Sequence, residues 1–233
     1  MAFSFSSSLR FLLTAGFLSW SSSAHAEFSM SAMILDFIPG TTTHKDIEIR
    51  SLDDQKQYIA TEIYKINNPG GKNQQQVLVT NMQKSGLIVS PAKMVLPAKV
   101  TKLMRFIMLT PPTDQDQIYR VTIKPVVNEL DNKEEKVALK LLVGYEALVI
   151  IRPQNPHPDL IAKRVGNTIE FTNKGNTNVL LQSGQQCESA GHCKELTISR
   201  IYAGQSWSVT LPYGKAPVTY HTFDGMNSRD ITL

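Results

Sequence analysis

The chain is poor in the residues and patterns on which enzymes depend. Only 19% of its 233 residues are charged, and it has five histidines and two cysteines. It contains no G-x-S-x-G nucleophile elbow, no H-E-x-x-H pair and no phosphate-cradling glycine loop. One S-x-x-K pattern, Ser90-Pro91-Ala92-Lys93, lacks the helix and the companion motifs of acyl-transfer enzymes, so it is a chance match. We therefore expect no enzymatic activity and no cofactor.

Charge is too weak and too scattered for nucleic-acid binding. The 24 Lys and Arg residues face 20 Asp and Glu residues, and loss of a leader containing Arg10 would leave a net charge of about +3. No basic stripe interleaved with aromatic residues appears. We expect no nucleic acid among the partners.

The first 26 residues form a predicted leader. Arg10 precedes the apolar stretch FLLTAGFLSW, and the small-residue ending Ala24-His25-Ala26 follows it. This order is typical of a secretory signal peptide cleaved after Ala26. No later stretch reaches about 20 apolar residues, the length of a membrane-spanning helix, so we expect no membrane insertion after export.

The two cysteines, Cys187 and Cys193, lie close together in the polar stretch QQCESAGHCKEL. In an exported chain such a pair is most simply interpreted as a disulfide that closes a short loop. His192 makes a metal site the alternative, but this site would need a further ligand from a distant residue. We predict the disulfide and no metal.

Strand-like segments separated by turn residues run along the whole exported chain. Residues 58–66 (YIATEIYKI) and 100–109 (VTKLMRFIML) are examples, and about seven such segments precede Arg152, as in a β-sandwich. The proline-rich stretch PQNPHPD follows and stiffens the backbone, and a second series of shorter strands comes after it. We predict an all-β chain of two domains, residues 27–153 and 154–233, joined by a Pro-rich elbow.

One hydrophobic segment, KVALKLLVGYEALVII at residues 136–151, is unusually long. It is too short and too charged for a membrane helix, and far longer than a usual strand of roughly five or six residues. A core strand buried on one face is one interpretation, but a sandwich strand needs only about half this length. We interpret the excess as an exposed strand edge that pairs with another chain.

Several motifs occur in a fixed order along the exported chain. They are SPAKMVLPAKVTKLMRF, an acidic turn followed by IYRV, and a long alternating strand that ends at Arg152-Pro153 before a second β domain. This order resembles the periplasmic pilus-assembly chaperones, the PapD-like proteins, and the INNPG turn and the cysteine pair are most similar to their alternate group. The resemblance implies two immunoglobulin-like domains set at an angle.

The resemblance also implies a function. Such a chaperone stabilises an incomplete pilus subunit by donor-strand complementation, in which it lends its long strand, and delivers the subunit to an outer-membrane usher. The predicted donor residues, which share one face of the strand, are Val137, Leu139, Leu141 and Val143. The rival interpretation is an exported structural or adhesive pilus component of β-sandwich fold. Self-association of the free chaperone through the open edge is a further expectation.

Charged residues receive roles from the same resemblance. Arg152 matches an arginine at the domain junction, and its partners in an interdomain ion network would be Asp224 and Asp116. The two places that hold basic residues for the subunit's terminal carboxylate are Leu35 and Leu148 here. The candidates to bind this carboxylate instead are Arg105, Arg120 and Lys124.

Overall fold

Eighteen β-strands build the described part of the chain. The computed structural model describes residues 27–81, 85–109, 111–126 and 142–233, and the predicted leader, residues 1–26, lies outside them. The strands form four sheets, two from each half of the chain. Among the described residues no helix has the length and apolar character needed to cross a membrane. The predicted all-β fold of two sandwiches is confirmed.

The first sandwich packs a four-stranded sheet against a six-stranded sheet. The order is β1-β3-β8-β6 in one sheet and β2-β10-β9-β4-β5 in the other, where β7 also pairs with β4. The strands are β1 (Phe28–Met30), β2 (Ile34–Phe37), β3 (His44–Ser51), β4 (Gln57–Asn67), β5 (Gln75–Leu78), β6 (Leu87–Ser90), β7 (Lys93–Leu96), β8 (Thr101–Met108), β9 (Gln117–Pro125) and β10 (Tyr145–Ile151).

The core of the first sandwich follows from alternation along these strands. In β9 the odd-numbered residues Tyr119, Val121 and Ile123 are fully buried, while the even-numbered residues from Arg120 to Lys124 are partly exposed. Side chains from the four-stranded sheet, such as Phe28 and Phe106, complete this core.

The chain changes sheets near its start. β1 pairs antiparallel with β3, but β2 pairs parallel with β10 in the opposite sheet. Ser31 holds the crossover, because its backbone N–H donates to the Glu48 carbonyl and its hydroxyl accepts from the Glu48 N–H. The switch brings β2 alongside the long hydrophobic segment.

The second sandwich has a three-stranded sheet and a five-stranded sheet. Their orders are β11-β12-β16 and β14-β13-β17-β18, with β15 also paired to β13. Ile169, Phe171, Leu181 and Tyr220 are buried at its centre. The strands are β11 (Leu160–Val165), β12 (Thr168–Asn173), β13 (Val179–Ser189), β14 (His192–Leu196), β15 (Ser199–Ile201), β16 (Ser206–Thr210), β17 (Val218–Phe223) and β18 (Ser228–Thr232).

The predicted disulfide is present. Cys187 on β13 and Cys193 on β14 are paired directly across this hairpin and joined by their sulfurs. The bond ties an exposed edge strand to the sheet, and it uses both thiols that a metal site would have needed.

Two buried tyrosines predict how stability changes in alkali. Burial raises the pKa of Tyr119 and of Tyr220 to about 12. Because the unfolded chain loses these protons near pH 10, the stability that the neutral phenols contribute should fall from pH 10 to about 12. Urea unfolding across this range should show the loss, and Tyr119→Phe should reduce it. Titration of both phenols near pH 10 in the folded protein, measured by tyrosinate absorbance, would contradict this.

Candidate functional site

The long hydrophobic segment ends in β10, whose side chains alternate strictly between two environments. Its odd-numbered residues Tyr145, Ala147, Val149 and Ile151 point into the first sandwich. Tyr145 is partly buried, and the other three have no exposed surface. Its even-numbered residues Glu146 and Leu148 are on the outer face of the sheet, and Ile150 joins a second apolar cluster there.

The two edges of β10 are paired over different lengths. Towards β9 the ladder covers the whole strand, from Tyr145 opposite Ile123 to Ile151 opposite Gln117. Towards β2 the ladder covers only Leu148 to Ile151. Within the described residues, therefore, the β2-side edge of β10 has no strand partner before Leu148.

Of the four predicted donor residues, only Val143 is described. It precedes the first residue of β10 and is 37% exposed. Val137, Leu139 and Leu141 lie outside the described residues. Since all four have odd numbers, a strand continued backwards from Tyr145 would keep them in phase with the core-facing side chains of β10.

The outer face of the six-stranded sheet carries a row of apolar and basic side chains. Ile34, Leu148, Arg120 and Tyr64 lie side by side on β2, β10, β9 and β4. Ile34 is 53% exposed. The guanidinium of Arg120, on β9, is thus close to an accessible apolar surface.

Acidic neighbours partly neutralise the basic residues of this face. Arg120 donates a hydrogen bond to Glu146, and the Lys124 ammonium lies 2.8 Å from the Glu62 carboxylate. Hydrogen bonds from Lys124 and Tyr64 lower the pKa of Glu62. Lys124 also lines an open cavity of about 540 Å³ above Ala60, together with Tyr58, Val95 and Val126.

Two residues named from the resemblance lie away from the outer face of the six-stranded sheet. Arg105 lies on β8 in the opposite sheet, where its guanidinium donates two hydrogen bonds of 2.7 Å to Asp46. Leu35 is only 3% exposed and packs in the core, so its neighbour Ile34 is the residue beside Leu148 on the outer face. A shift of one residue along a strand moves a side chain to the other face.

Arg152, directly after β10, is buried between the two sandwiches. Its side chain has 0% exposure. Nε and Nη2 donate to the two oxygens of Asp36 on β2, both at 2.8 Å. Nη1 donates at 2.6 Å to the Thr177 hydroxyl of the second sandwich. The arginine therefore joins the two sandwiches.

Asp116 extends this network from the first sandwich. It accepts hydrogen bonds from the Thr177 hydroxyl at 2.9 Å and from the Asn178 backbone N–H at 2.6 Å. The Thr177 hydroxyl therefore accepts a hydrogen bond from Arg152 and donates one to Asp116. Burial raises the pKa of Asp116, while the hydrogen bonds from Asn178 and Thr177 and the charge of Arg152 act in the opposite direction.

The predicted third member of the network, Asp224, is in a different arrangement. Its carboxylate accepts from the backbone N–H groups of Met226 and Asn227 and so closes its own turn. The part of this turn that meets the arginine is Gly225, at φ +96°, where a Cβ would lie 2.0 Å from Arg152 Nε. Asp36 supplies the carboxylate that the sequence prediction assigned to Asp224.

Sequence reasoning missed Asp36, Thr177 and Asn178. Asp36 did give a signal, because it is the one charged residue of the short apolar strand ILDF. A carboxylate in such a strand needs a partner if it is buried. Thr177 and Asn178 gave none, since they follow an ordinary turn.

No protein-family model matches the chain, but curated proteins and solved structures do. A CS1 fimbrial protein of Escherichia coli, named as a subunit, is 29% identical over 172 residues, 69% of this chain and 71% of the relative. Its CFA/I counterpart in E. coli, also named as a fimbrial subunit, is 28% identical over 173 residues, 72% of this chain and 71% of the relative. The probable fimbrial chaperone LpfB of E. coli O157:H7 is 23% identical over 62% of this chain and 65% of its own length.

Solved structures match most of the chain. The class 5 fimbriae chaperone CfaA superposes with a TM-score of 0.64 at 23% identity, covering 88% of this chain and 97% of CfaA. The chain has the fold of the fimbrial chaperones. A chain of the Salmonella enterica SafA pilin complex with the SafB chaperone gives a TM-score of 0.65 at 15% identity, over 91% of this chain and 99% of its own. The PapD-like resemblance of the sequence is confirmed at the level of fold.

The buried network predicts which acid stabilises Arg152. Asp36→Asn should lower the free energy of unfolding by about 3 kcal/mol, because it leaves a buried guanidinium without its carboxylate. Asp224→Asn should change it by less than about 1 kcal/mol, since an amide oxygen can still accept in the turn. Urea unfolding of both variants measures the difference. A larger loss for Asp224→Asn than for Asp36→Asn would contradict the assignment.

Proposed function

We propose that this protein is a non-enzymatic periplasmic chaperone that stabilises fimbrial subunits by donating a strand. The observation that carries the proposal is the burial and the pairing of β10. Its odd-numbered side chains belong to the core, and its β2-side edge loses its partner before Leu148. A strand of this kind can continue its own core into that of a second protein.

The donated strand would be the residues before β10. A subunit that lacks one strand of its sandwich exposes apolar core to water and tends to aggregate. Backbone pairing along the open edge would close this gap, and the donor residues Val137, Leu139, Leu141 and Val143 would fill the core. Each fully buried side chain would contribute about 1.5–3 kcal/mol.

Export and domain organisation belong to the same proposal. Residues 1–26 would direct the chain to the periplasm and be removed. Residues 27–153 would be the subunit-binding domain, and residues 154–233 the disulfide-bonded second domain. The described sheets agree with this division, since strands of the first two lie before residue 152 and strands of the last two follow residue 159.

The subunit's terminal carboxylate would bind on the outer face of the six-stranded sheet. Arg120 and Lys124 lie there, and Arg120 is beside the apolar residue Leu148, whereas Arg105 lies in the opposite sheet. A bidentate carboxylate would replace Glu146 as the partner of Arg120.

An outer-membrane usher would then accept the loaded chaperone. Self-association through the same open edge would protect the free protein.

The rival function is a structural or adhesive pilus component. The names of two curated relatives contain the words fimbrial subunit. Against the rival stands the near-complete match to chaperone chains, which extends over both sandwiches. A pilus component would assemble into fibres, whereas the chaperone would bind single subunits.

The donor residues can be tested by comparing substitutions on the two faces of the donated strand. Leu141→Asp with Val143→Asp should leave the protein folded and abolish its protection of a co-expressed fimbrial subunit, because two charges would enter the shared core. Subunit yield in the periplasm is the measurement. The matched control, Lys140→Asp with Leu142→Asp, places the same residues on the opposite face and should retain most of the yield. Equal loss in both variants, or none in the first, would refute strand donation in this phase.

The carboxylate site has its own test. Arg120→Ala should weaken binding of the subunit by about 2 kcal/mol, since a charge-assisted hydrogen bond would be lost. Arg105→Ala is the control, because it removes an arginine of similar exposure from the opposite sheet and should leave affinity unchanged. Titration calorimetry with purified subunit distinguishes them. If Arg105→Ala weakens binding more, the site is not on the outer face of the six-stranded sheet.

A further inference from the structure

The two sandwiches also meet at a second place, away from Arg152. Residues 67–71 form the turn NNPGG after β4, and residues 202–205 form the loop YAGQ before β16. The Gln205 side-chain amide donates to the Asn68 side-chain oxygen at 2.8 Å. The Tyr202 ring covers Gly70 so closely that a Cβ on Gly70 would lie 2.9 Å from the ring.

The turn of the first sandwich is rigidly built. Asn68 has φ +51° and Gly70 has φ +73°, both in the left-handed region. The Gly71 N–H donates to the Asn68 carbonyl at 3.1 Å, and the Gly70 N–H donates to the Gln74 side chain at 2.8 Å. These hydrogen bonds hold Gly70 against the second sandwich.

The loop of the second sandwich is equally well held. The Gly204 N–H donates to the Asn173 carbonyl at 2.8 Å, and the Asn173 N–H donates to the Gln205 carbonyl at 2.9 Å. Tyr202 also packs against an apolar cluster from the first sandwich, Ile66, Ile118 and Ile150, with Leu148 at its border. Its ring is thus inserted between the turn and the outer face of the six-stranded sheet.

This contact is separate from the Arg152 network. A cavity of about 350 Å³ lies between them and is lined by Asn68 and Gln205 from one contact and by Asp116 from the other. Two separated contacts resist rotation between two bodies far better than one contact does.

We propose that Tyr202 and the turn at residues 67–71 form a second lock that fixes the angle between the two sandwiches. The Arg152 network joins the sandwiches together with hydrogen bonds between Asn176 and residues 114 and 116, and the lock adds a contact at the turn after β4. With the proposed function, the lock would hold the outer face and the open edge of β10 in their binding geometry before a subunit arrives, which reduces the entropy lost on binding. The lock itself is a property of the free protein and does not depend on that function.

Three glycines give a matched test. Gly40, Gly70 and Gly191 have φ values of +74°, +73° and +80°, so Ala causes similar backbone strain at each. A Cβ meets Tyr202 at Gly70, but it meets nothing within 4 Å at Gly40 or Gly191. Spin labels on Lys102→Cys and Lys163→Cys, in different sandwiches, report the interdomain distance by double electron–electron resonance. The two native cysteines are joined and do not take label.

The expected result is a distance distribution that shifts or broadens in Gly70→Ala and superposes on that of the unmodified protein in Gly40→Ala and Gly191→Ala. Tyr202→Ala should reproduce the Gly70→Ala result, and Tyr202→Phe should restore the original distribution, because the ring is what contacts the turn. If Gly70→Ala does not fold, the two Tyr202 variants still test the lock. Unchanged distributions in Gly70→Ala and Tyr202→Ala, or equal broadening in all three glycine variants, would overturn the lock.

Discussion

The two-residue period of β10 is the constraint on which the rest of this structure depends. Because successive side chains of a strand alternate, one segment can bury its odd-numbered residues in a core and show its even-numbered residues to the outer face. β9 pairs along its whole length, while β2 pairs along only part of it. The same strand is therefore firmly held at its end and open on one edge near its start, and this combination suits a strand that completes another protein.

The domain junction fixes the position of β10 relative to the second sandwich. Arg152 follows β10 directly, and its guanidinium contacts Asp36 on the neighbouring β2 and Thr177 in the second sandwich. A buried charge without partners is very unfavourable, so the sandwiches stabilise each other by satisfying it together. Such a network contributes more to a specific arrangement of domains than to net stability, because desolvation offsets much of its attraction. The elbow and the open strand edge are thus linked through one residue.

Local patterns predicted much of the fold, and long-range register limited the prediction of the site. Alternation, turn residues and the close cysteine pair are local, and they predicted the two sandwiches and the disulfide. The acid partner of Arg152 depends on the parallel pairing of β2 with β10, which places Asp36 where the sequence suggested Asp224. The face that Leu35 occupies and the sheet that Arg105 joins are likewise set by distant partners along the chain.

Amide hydrogen exchange of residues 136–143, in the free protein and with a fimbrial subunit bound, tests strand donation most directly. The account predicts that these amides gain strong protection on binding, because a donated strand forms a ladder with the subunit. Exchange that stays fast in the complex would contradict it. So would protection in the monomeric free protein equal to that of Ala147 and Val149, because the segment would then already be paired within its own fold.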